Sequence, residues 1–271
     1  KMRWVIATDL GARSLIKEFI DVLEKKEQLI YPVNMENLLT PDWKPCINDN
    51  IDTIFYGSTN FIDRMSKLNY FPGVYGNNDM FSYENLIKHI PKEMLLNDPD
   101  SVVMGTAYNI MEYLKNNNMQ EHDILFFKPG NDSKIFAGSV MSVKDIIRIC
   151  KNIDAGIFPD ADKNFPLLLS MPYGISHEYR LFVVDGKIIT SSEYLPHVKN
   201  GCPSIVMDFA QKVIDTWNPT DIYTLDICLS AGKPYIMEIQ NFHSAGFYDC
   251  DLDLLASAII EKFNYKKDMR I

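Results

Sequence analysis

The sequence predicts an α/β (α+β) protein in two parts, an alternating α/β region over residues 1–100 and a larger region of antiparallel strand pairs and helices over 101–271. Three observations carry this expectation. Apolar runs alternate with an amphipathic helical segment in the first hundred residues. Asp185-Gly186 stands between two alternating runs, the strongest short signal for a two-residue hairpin turn. The stretch "YTLDICLSAGKPYIMEIQN", residues 223–241, alternates apolar and polar positions on both sides of Gly232.

Taken in order, "RWVIA" and "TIFYG" read as strands, with an amphipathic helix from about Ser14 to Lys26 between them and a further apolar run at "FPGVYG". The cluster Asn97, Asp98, Pro99, Asp100 is turn-rich and sets the division near residue 100. A helix at "AYNIMEYLKNN" leads to the strand "DILFFKP", a polar loop "GNDSK", and "IFAGSV", which is expected to pair back on that strand and run into a helix capped by Ser142 and Asp145. After "PLLLSMPYG" comes the Asp185-Gly186 hairpin, whose two-residue turn would set Arg180 opposite Ser191 and Glu178 opposite Glu193, all on one face. A helix over about 204–217, with Ile205, Phe209, Val213 and Trp217 as its apolar stripe, precedes the last hairpin, and a helix over about 252–263 closes the fold.

A formal net charge of −9 with no block of Lys and Arg argues against an extended nucleic-acid surface. The five cysteines are odd in number and lack any C-x-x-C spacing, which suits a reducing cytoplasm better than a disulfide framework. No run approaches the length of a membrane span, and frequent Asn, Ile and Lys point to an AT-rich genome such as a phage's, with the host cytoplasm as location.

Asp226 and Glu238 lie inside the two runs of the last hairpin. A three-residue loop, Ala231-Gly232-Lys233, would pair Ser230 with Pro234 and place these acids directly opposite each other while aligning both apolar faces. Like charges so placed repel, so the pattern is satisfied either by a solvent-facing polar stripe or by a cation between the acids. Oxygen donors with no nearby His or Cys pair favour Mg2+, or Mn2+, over zinc.

Lys128 ends an apolar strand before a loop that carries Asp132 and Lys134. Neither a Walker A loop nor a GxGxxG turn is present. Lys128, Lys134 and Arg180 as cations, with Asp226 and Glu238 as metal ligands, form the donor set of a triphosphate site neutralised from both sides.

The ordered set "ILFFKPGNDSKIFAG", "HEYRLFVVDGKIITSSEY" and "YTLDICLSAGKPYIMEIQNFHSAGFY" resembles the ATP-grasp superfamily, and in particular its phage and bacterial branch named for an arginine-to-lysine replacement. The resemblance implies an ATP-grasp fold with a pre-ATP-grasp domain over 1–100, a lid over about 101–170 and a metal-binding subdomain over 171–271. It implies ATP and Mg2+ as cofactors. Lys128 would meet the α- and β-phosphates, Lys134 the outer phosphates, Leu169, Ser170 and Met171 the adenine, and Glu178 the ribose. Arg180 and Lys134 would be catalytic, Arg180 at the transferring phosphoryl group. Asp226, Glu238 and Gln240 would hold metal, Gln240 standing where the family commonly has Asn. His243, Ser244 and Tyr248 follow the metal ligands and are expected to recognise substrate.

The activity so implied is an ATP-dependent carboxylate–amine ligase that acts through an acylphosphate on an amino acid, peptide or protein terminus. A phosphotransferase or other modifying enzyme, or a non-catalytic nucleotide-binding protein, uses the same scaffold residues.

Overall fold

Twelve strands form three four-stranded sheets in the computed structural model, which describes residues 1–8, 13–40, 42–47, 49–77, 79–196 and 201–268. The first sheet is parallel, in the order β2 (Leu29–Val33), β1 (Arg3–Ala7), β3 (Thr53–Tyr56), β4 (Pro72–Gly73). Its crossovers include α1 (Arg13–Lys25), α2 (Met35–Leu39) and α3 (Thr59–Ser66). Pro32 obscures β2 in the sequence, and the edge position is where a strand tolerates it.

α4 (Tyr83–His89) and a turn near Met94 precede the next sheet. That sheet orders β5 (Val103–Gly105), β8 (Leu167–Ser170), β6 (Ile124–Pro129) and β7 (Ser139–Ser142), all antiparallel, with α5 (Ala107–Asn116) and α6 (Val143–Asp154). β6 and β7 pair across the polar loop as expected, Phe127 opposite Ser139. Ser142 caps α6, its Oγ accepting from the Asp145 N–H at 3.2 Å. Alternation along β6 sends Leu125, Phe127 and Pro129 into the core and leaves Phe126 and Lys128 on the other face.

The last sheet orders β10 (Lys187–Leu195), β9 (His177–Val184), β11 (Ile222–Ser230) and β12 (Lys233–Asn241), with α7 (Ser204–Thr216) on one face. α8 (Leu252–Asp268) and α1 pack on the other, where Phe182, Phe242 and Phe247 meet Trp4, Phe19 and Tyr56 of the first region. Phe81, Tyr83 and Leu86 join the α7-side core rather than the first sheet's. Each large side chain that is fully buried, such as Phe19 or Phe182, contributes about 2–3 kcal/mol.

Three expectations change. The last hairpin turns on two residues, with Ser230 paired to Lys233. Ala231 and Gly232 both have positive φ, 49° and 76°, which suits the strands' twist. A two-residue turn alone would put Asp226 opposite Met237, but a bulge at Met237 restores the register and leaves Asp226 opposite Glu238. In the other hairpin the two-residue turn holds, yet a bulge at Ile189 shifts everything beyond it, so Arg180 faces Ser192 and Glu193 faces Tyr179. Glu193 therefore leaves the Arg180 face, and its Oε1 lies 3.9 Å from His177 Nε2. Along α7, Val206, Ala210, Val213 and Ile214 are buried and Ile205 is exposed, so the inward stripe is rotated by one residue.

Candidate active site

The two bulges align a row across the last sheet: Ser192 on β10, Arg180 on β9, Asp226 on β11 and Glu238 on β12. Gln240 lies two residues further along the same face of β12, opposite Thr224. Arg180, Asp226 and Gln240 are each at least nine-tenths buried, which makes their pairing obligatory.

Arg180 forks onto Asp226, Nε to Oδ1 at 2.9 Å and Nη2 to Oδ2 at 2.7 Å. Its Nη1 donates to the Gly246 carbonyl at 3.2 Å, and its Nη2 also reaches Gln240 Oε1 at 3.3 Å. The guanidinium packs on the ring of Tyr248, 5.0 Å from its centroid, and Tyr248 stacks on Tyr194 at 4.7 Å. Burial opposes its charge, but Asp226 outweighs that and raises its pKa further above the usual range. Gln240 bridges: its Nε2 donates to Asp226 Oδ2 at 2.8 Å while its Oε1 accepts from Lys134 Nζ at 2.9 Å.

The cations opposite come from the β5–β8 sheet. Lys128 Nζ, at the end of β6, lies 3.4 Å from Glu238 Oε1. Lys134 is carried by the loop between β6 and β7. Burial alone would raise the Glu238 carboxyl, but Lys128, Lys134 and Arg180 together hold it below the usual carboxylate value.

Two adjoining cavities, of about 370 and 390 Å3, open between the two antiparallel sheets and share Lys128, Arg180, Glu238 and Gln240 in their walls. The second is lined by Phe126, Val140, Ile175 and Met237 together with Glu178, Tyr194 and Asp226, an apolar slot that also holds polar groups. Burial raises the Glu178 carboxyl there. The first runs under the Gly130–Gly138 loop, where Lys134 and Tyr248 line it.

The structure thus brings together Lys128, Lys134, Glu178, Arg180, Asp226, Glu238, Gln240 and Tyr248. Leu169 is buried in the core of its own sheet, Ser170 Oγ donates to Asn97 Oδ1 at 3.1 Å, and Met171 is 61% exposed, so these three line neither cavity with their side chains. His243 is fully buried away from both: Nε2 accepts from the Tyr75 N–H at 2.8 Å and Nδ1 donates to the Phe55 carbonyl at 2.5 Å. Ser244 sits instead beside Gly76 and Asn241. The Asn241 side chain leaves the Gln240 face, its Oδ1 accepting from the His243 N–H at 2.9 Å.

Sequence reasoning missed Phe126, Tyr194, Met237 and Gly138. Phe126 was recoverable, since it stands two residues before Lys128 on the same strand. Gly138 leaves room for Lys128, because a Cβ there would lie 2.9 Å from the Lys128 Cβ. Met237 reaches the slot through a bulge that no residue in the sequence announces.

Residues 106–258, more than half of the chain, match the family model described as ATP-grasp domain, R-to-K clade family 2. The chain belongs to the ATP-grasp superfamily. Its fold is similar to that of a RimK-domain ATP-grasp protein from Sphaerobacter thermophilus DSM 20745, at TM-score 0.62 and 12% identity, covering 95% of this chain and 99% of that one. It is also similar to D-alanine–D-alanine ligase from Bacillus anthracis, at TM-score 0.60 and 14% identity over 99% and 100% of the two chains. The ATP-grasp ligase PsnB in complex with its minimal precursor aligns at TM-score 0.53 and 11% identity over 96% and 99%. No curated protein sequence matches the chain. No described helix is long and apolar enough to cross a membrane.

ATP-grasp proteins bind ATP, typically with Mg2+. Among the described residues no three His, Cys, Asp or Glu side chains gather into a metal cage. Asp226, Glu238 and the Gln240 amide nonetheless supply hard oxygen donors on one face, which fits a Mg2+ that arrives with phosphate oxygens and keeps some of its waters.

Proposed function

We propose that this ATP-grasp protein is a carboxylate–amine ligase that forms an amide bond through an acylphosphate, releasing ADP and phosphate. The observation that supports it best is the convergence of Lys128 and Lys134 from one sheet on Glu238 and Gln240 of another, with Arg180 and Asp226 beside them. A polyanion entering between the sheets finds cations on both sides and an apolar slot behind them.

In this reading the slot of Phe126, Val140, Ile175 and Met237 takes the adenine, with backbone groups of 169–171 beside it and Glu178 toward the ribose. Lys128 holds the inner phosphates. Lys134 leaves Gln240 for the outer ones, and Arg180 stabilises the phosphoryl group as the substrate carboxylate attacks it and ADP departs. The amine then attacks the acyl carbon, phosphate leaves, and the amine proton passes to solvent. Bound Mg2+ supplies charge neutralisation at the phosphates, held through Asp226, Glu238 and Gln240.

An amino acid, peptide or protein terminus is the proposed substrate class, in keeping with the D-alanine ligase and precursor-peptide ligase among the structural neighbours. Tyr248 is the residue of the expected recognition set that reaches the cavity, and we assign His243 to supporting the loop that carries it. The test is turnover of Mg-ATP with pools of carboxylates and amines, with hydroxylamine as a trap for the acylphosphate. ADP, phosphate and a hydroxamate support the ligase. AMP and pyrophosphate overturn it, and a stable phosphorylated product formed without an amine moves the assignment to a phosphotransferase.

A further inference from the structure

The loop between β6 and β7 carries an acid that the proposed reaction does not use. Asp132 has a side chain 3% exposed, and its Oδ2 accepts from the Asn241 N–H at 3.0 Å, just past the end of the row that holds Glu238 and Gln240. Its Oδ1 lies 3.6 Å from Lys134 Nζ, and Lys134 itself reaches Gln240. Two neighbouring residues of β12, Gln240 and Asn241, therefore each catch one residue of the same loop. Lys134 has φ +53°, a left-handed conformation that a lysine adopts only when its surroundings hold it there.

We propose that Asp132 is a positioning residue that latches the phosphate loop onto the end of β12 and so aims the Lys134 ammonium at the cavity. The Asn241 backbone fixes one end of the segment and the Asp132 carboxylate steers the lysine two residues on. Burial, only partly offset by Lys134 and the Asn241 N–H, pushes the Asp132 carboxyl up to about 6. Keeping an ionised group there near neutral pH works against folding, as is common where position serves function. The latch rests on the geometry of the loop and β12, while its effect on nucleotide rests on the functional reading above.

Limited trypsin digestion without nucleotide tests the latch directly. Lys128 precedes Pro129 and resists trypsin, so cleavage inside the loop reports Lys134. Asp132→Ala is expected to speed cleavage after Lys134 by at least about tenfold, the scale of one lost charge-assisted hydrogen bond, with other sites cut as in the parent. Asp132→Asn, which keeps an oxygen for the Asn241 N–H, should fall between. In turnover assays Asp132→Ala should raise KM for ATP more than it lowers kcat.

Loop cleavage in Asp132→Ala within about twofold of the parent, well under one hydrogen bond's worth, overturns the latch. So does acceleration shared equally by all sites, which marks a purely structural acid; if the alanine variant does not fold, the asparagine variant is read by the same criteria. If the parent protein binds neither ATP nor ADP, the functional reading fails while the digestion still decides the latch.

Discussion

His243 predicts a pH dependence of stability that can be isolated from everything else that titrates. Its ring is fully buried and both nitrogens are engaged by backbone groups. The Tyr75 N–H can only donate, so Nε2 accepts and the proton sits on Nδ1, aimed at the Phe55 carbonyl. A second proton would displace the Tyr75 bond and place a charge in the core. Burial accordingly lowers the pKa from 6.5 to about 4. The folded state thus binds fewer protons than the unfolded state between those values. The contribution is full above about 6.5 and is lost as pH falls toward 4, at 1.36 kcal/mol per unit or about 3 kcal/mol in all.

Asp132 works in the opposite sense. Its raised carboxyl makes the folded state gain stability as pH falls from about 6 toward 3.8, by about 3 kcal/mol. The two nearly cancel, so the parent protein's own profile is uninformative and the difference from a variant is needed. His243→Gln should cost about 2–3 kcal/mol near neutral pH, because its single amide cannot serve both backbone groups. Near pH 5 that deficit should shrink by about 2 kcal/mol, since only the parent carries the depressed histidine. Urea unfolding followed by tryptophan fluorescence measures it, Trp4 being fully buried. A deficit that does not change between about pH 7.5 and 5 would refute the assignment of His243 as a neutral core bridge.

The site itself fixes three further outcomes. Asp226→Asn should abolish turnover and also destabilise the fold by about 3 kcal/mol, since it strips the buried Arg180 of its paired charge; equal urea midpoints would refute the second part. Lys128→Ala should weaken Mg-ADP binding by about tenfold or more with little change in melting temperature, measured by calorimetry. Gly138→Ala should do the same indirectly, because its Cβ would press on Lys128 at 2.9 Å and on Phe126 at 3.3 Å; unchanged affinity would show that the loop yields instead.

Side-chain parity explains what could be read in advance. The opposition of Asp226 and Glu238 was legible because both apolar faces of the hairpin demand it, and the molecule reaches it by a different route, a tighter turn plus a bulge. Such parity fixes which residues face each other but not how the chain arranges it. The same reasoning misplaced Glu193, because the bulge at Ile189 has no compensating one before that residue and no apolar penalty opposed it. β2 hid behind Pro32, and α4, seven residues long, is too short to show a helical period. His243 illustrates a different limit: a histidine in a glycine-containing loop reads as chemistry, and only tertiary burial against Phe55 and Tyr75 turns it into a structural bridge.

Charge balance within the site explains why Gln240 suits the position that commonly holds Asn. Lys128, Lys134 and Arg180 are paired with Glu238, Asp132 and Asp226, and Glu178 adds a fourth carboxyl to the cleft, one that burial biases toward its neutral form. A triphosphate cannot simply be added to that balance; it must take partners away. In the proposed reading Lys128 and Lys134 would turn to phosphate as Glu238 and Gln240 turn to a cation, which exchanges contacts and offsets part of the added negative charge. Gln240 couples the two halves of this exchange, because its oxygen holds Lys134 while its nitrogen holds Asp226. A side chain one methylene shorter would have difficulty spanning both at 2.9 and 2.8 Å. Gln240→Asn should therefore loosen the loop in the nucleotide-free protein, seen as faster tryptic cleavage after Lys134, while keeping an amide oxygen for the proposed metal. An unchanged cleavage rate would mean that the loop is held by Asp132 alone.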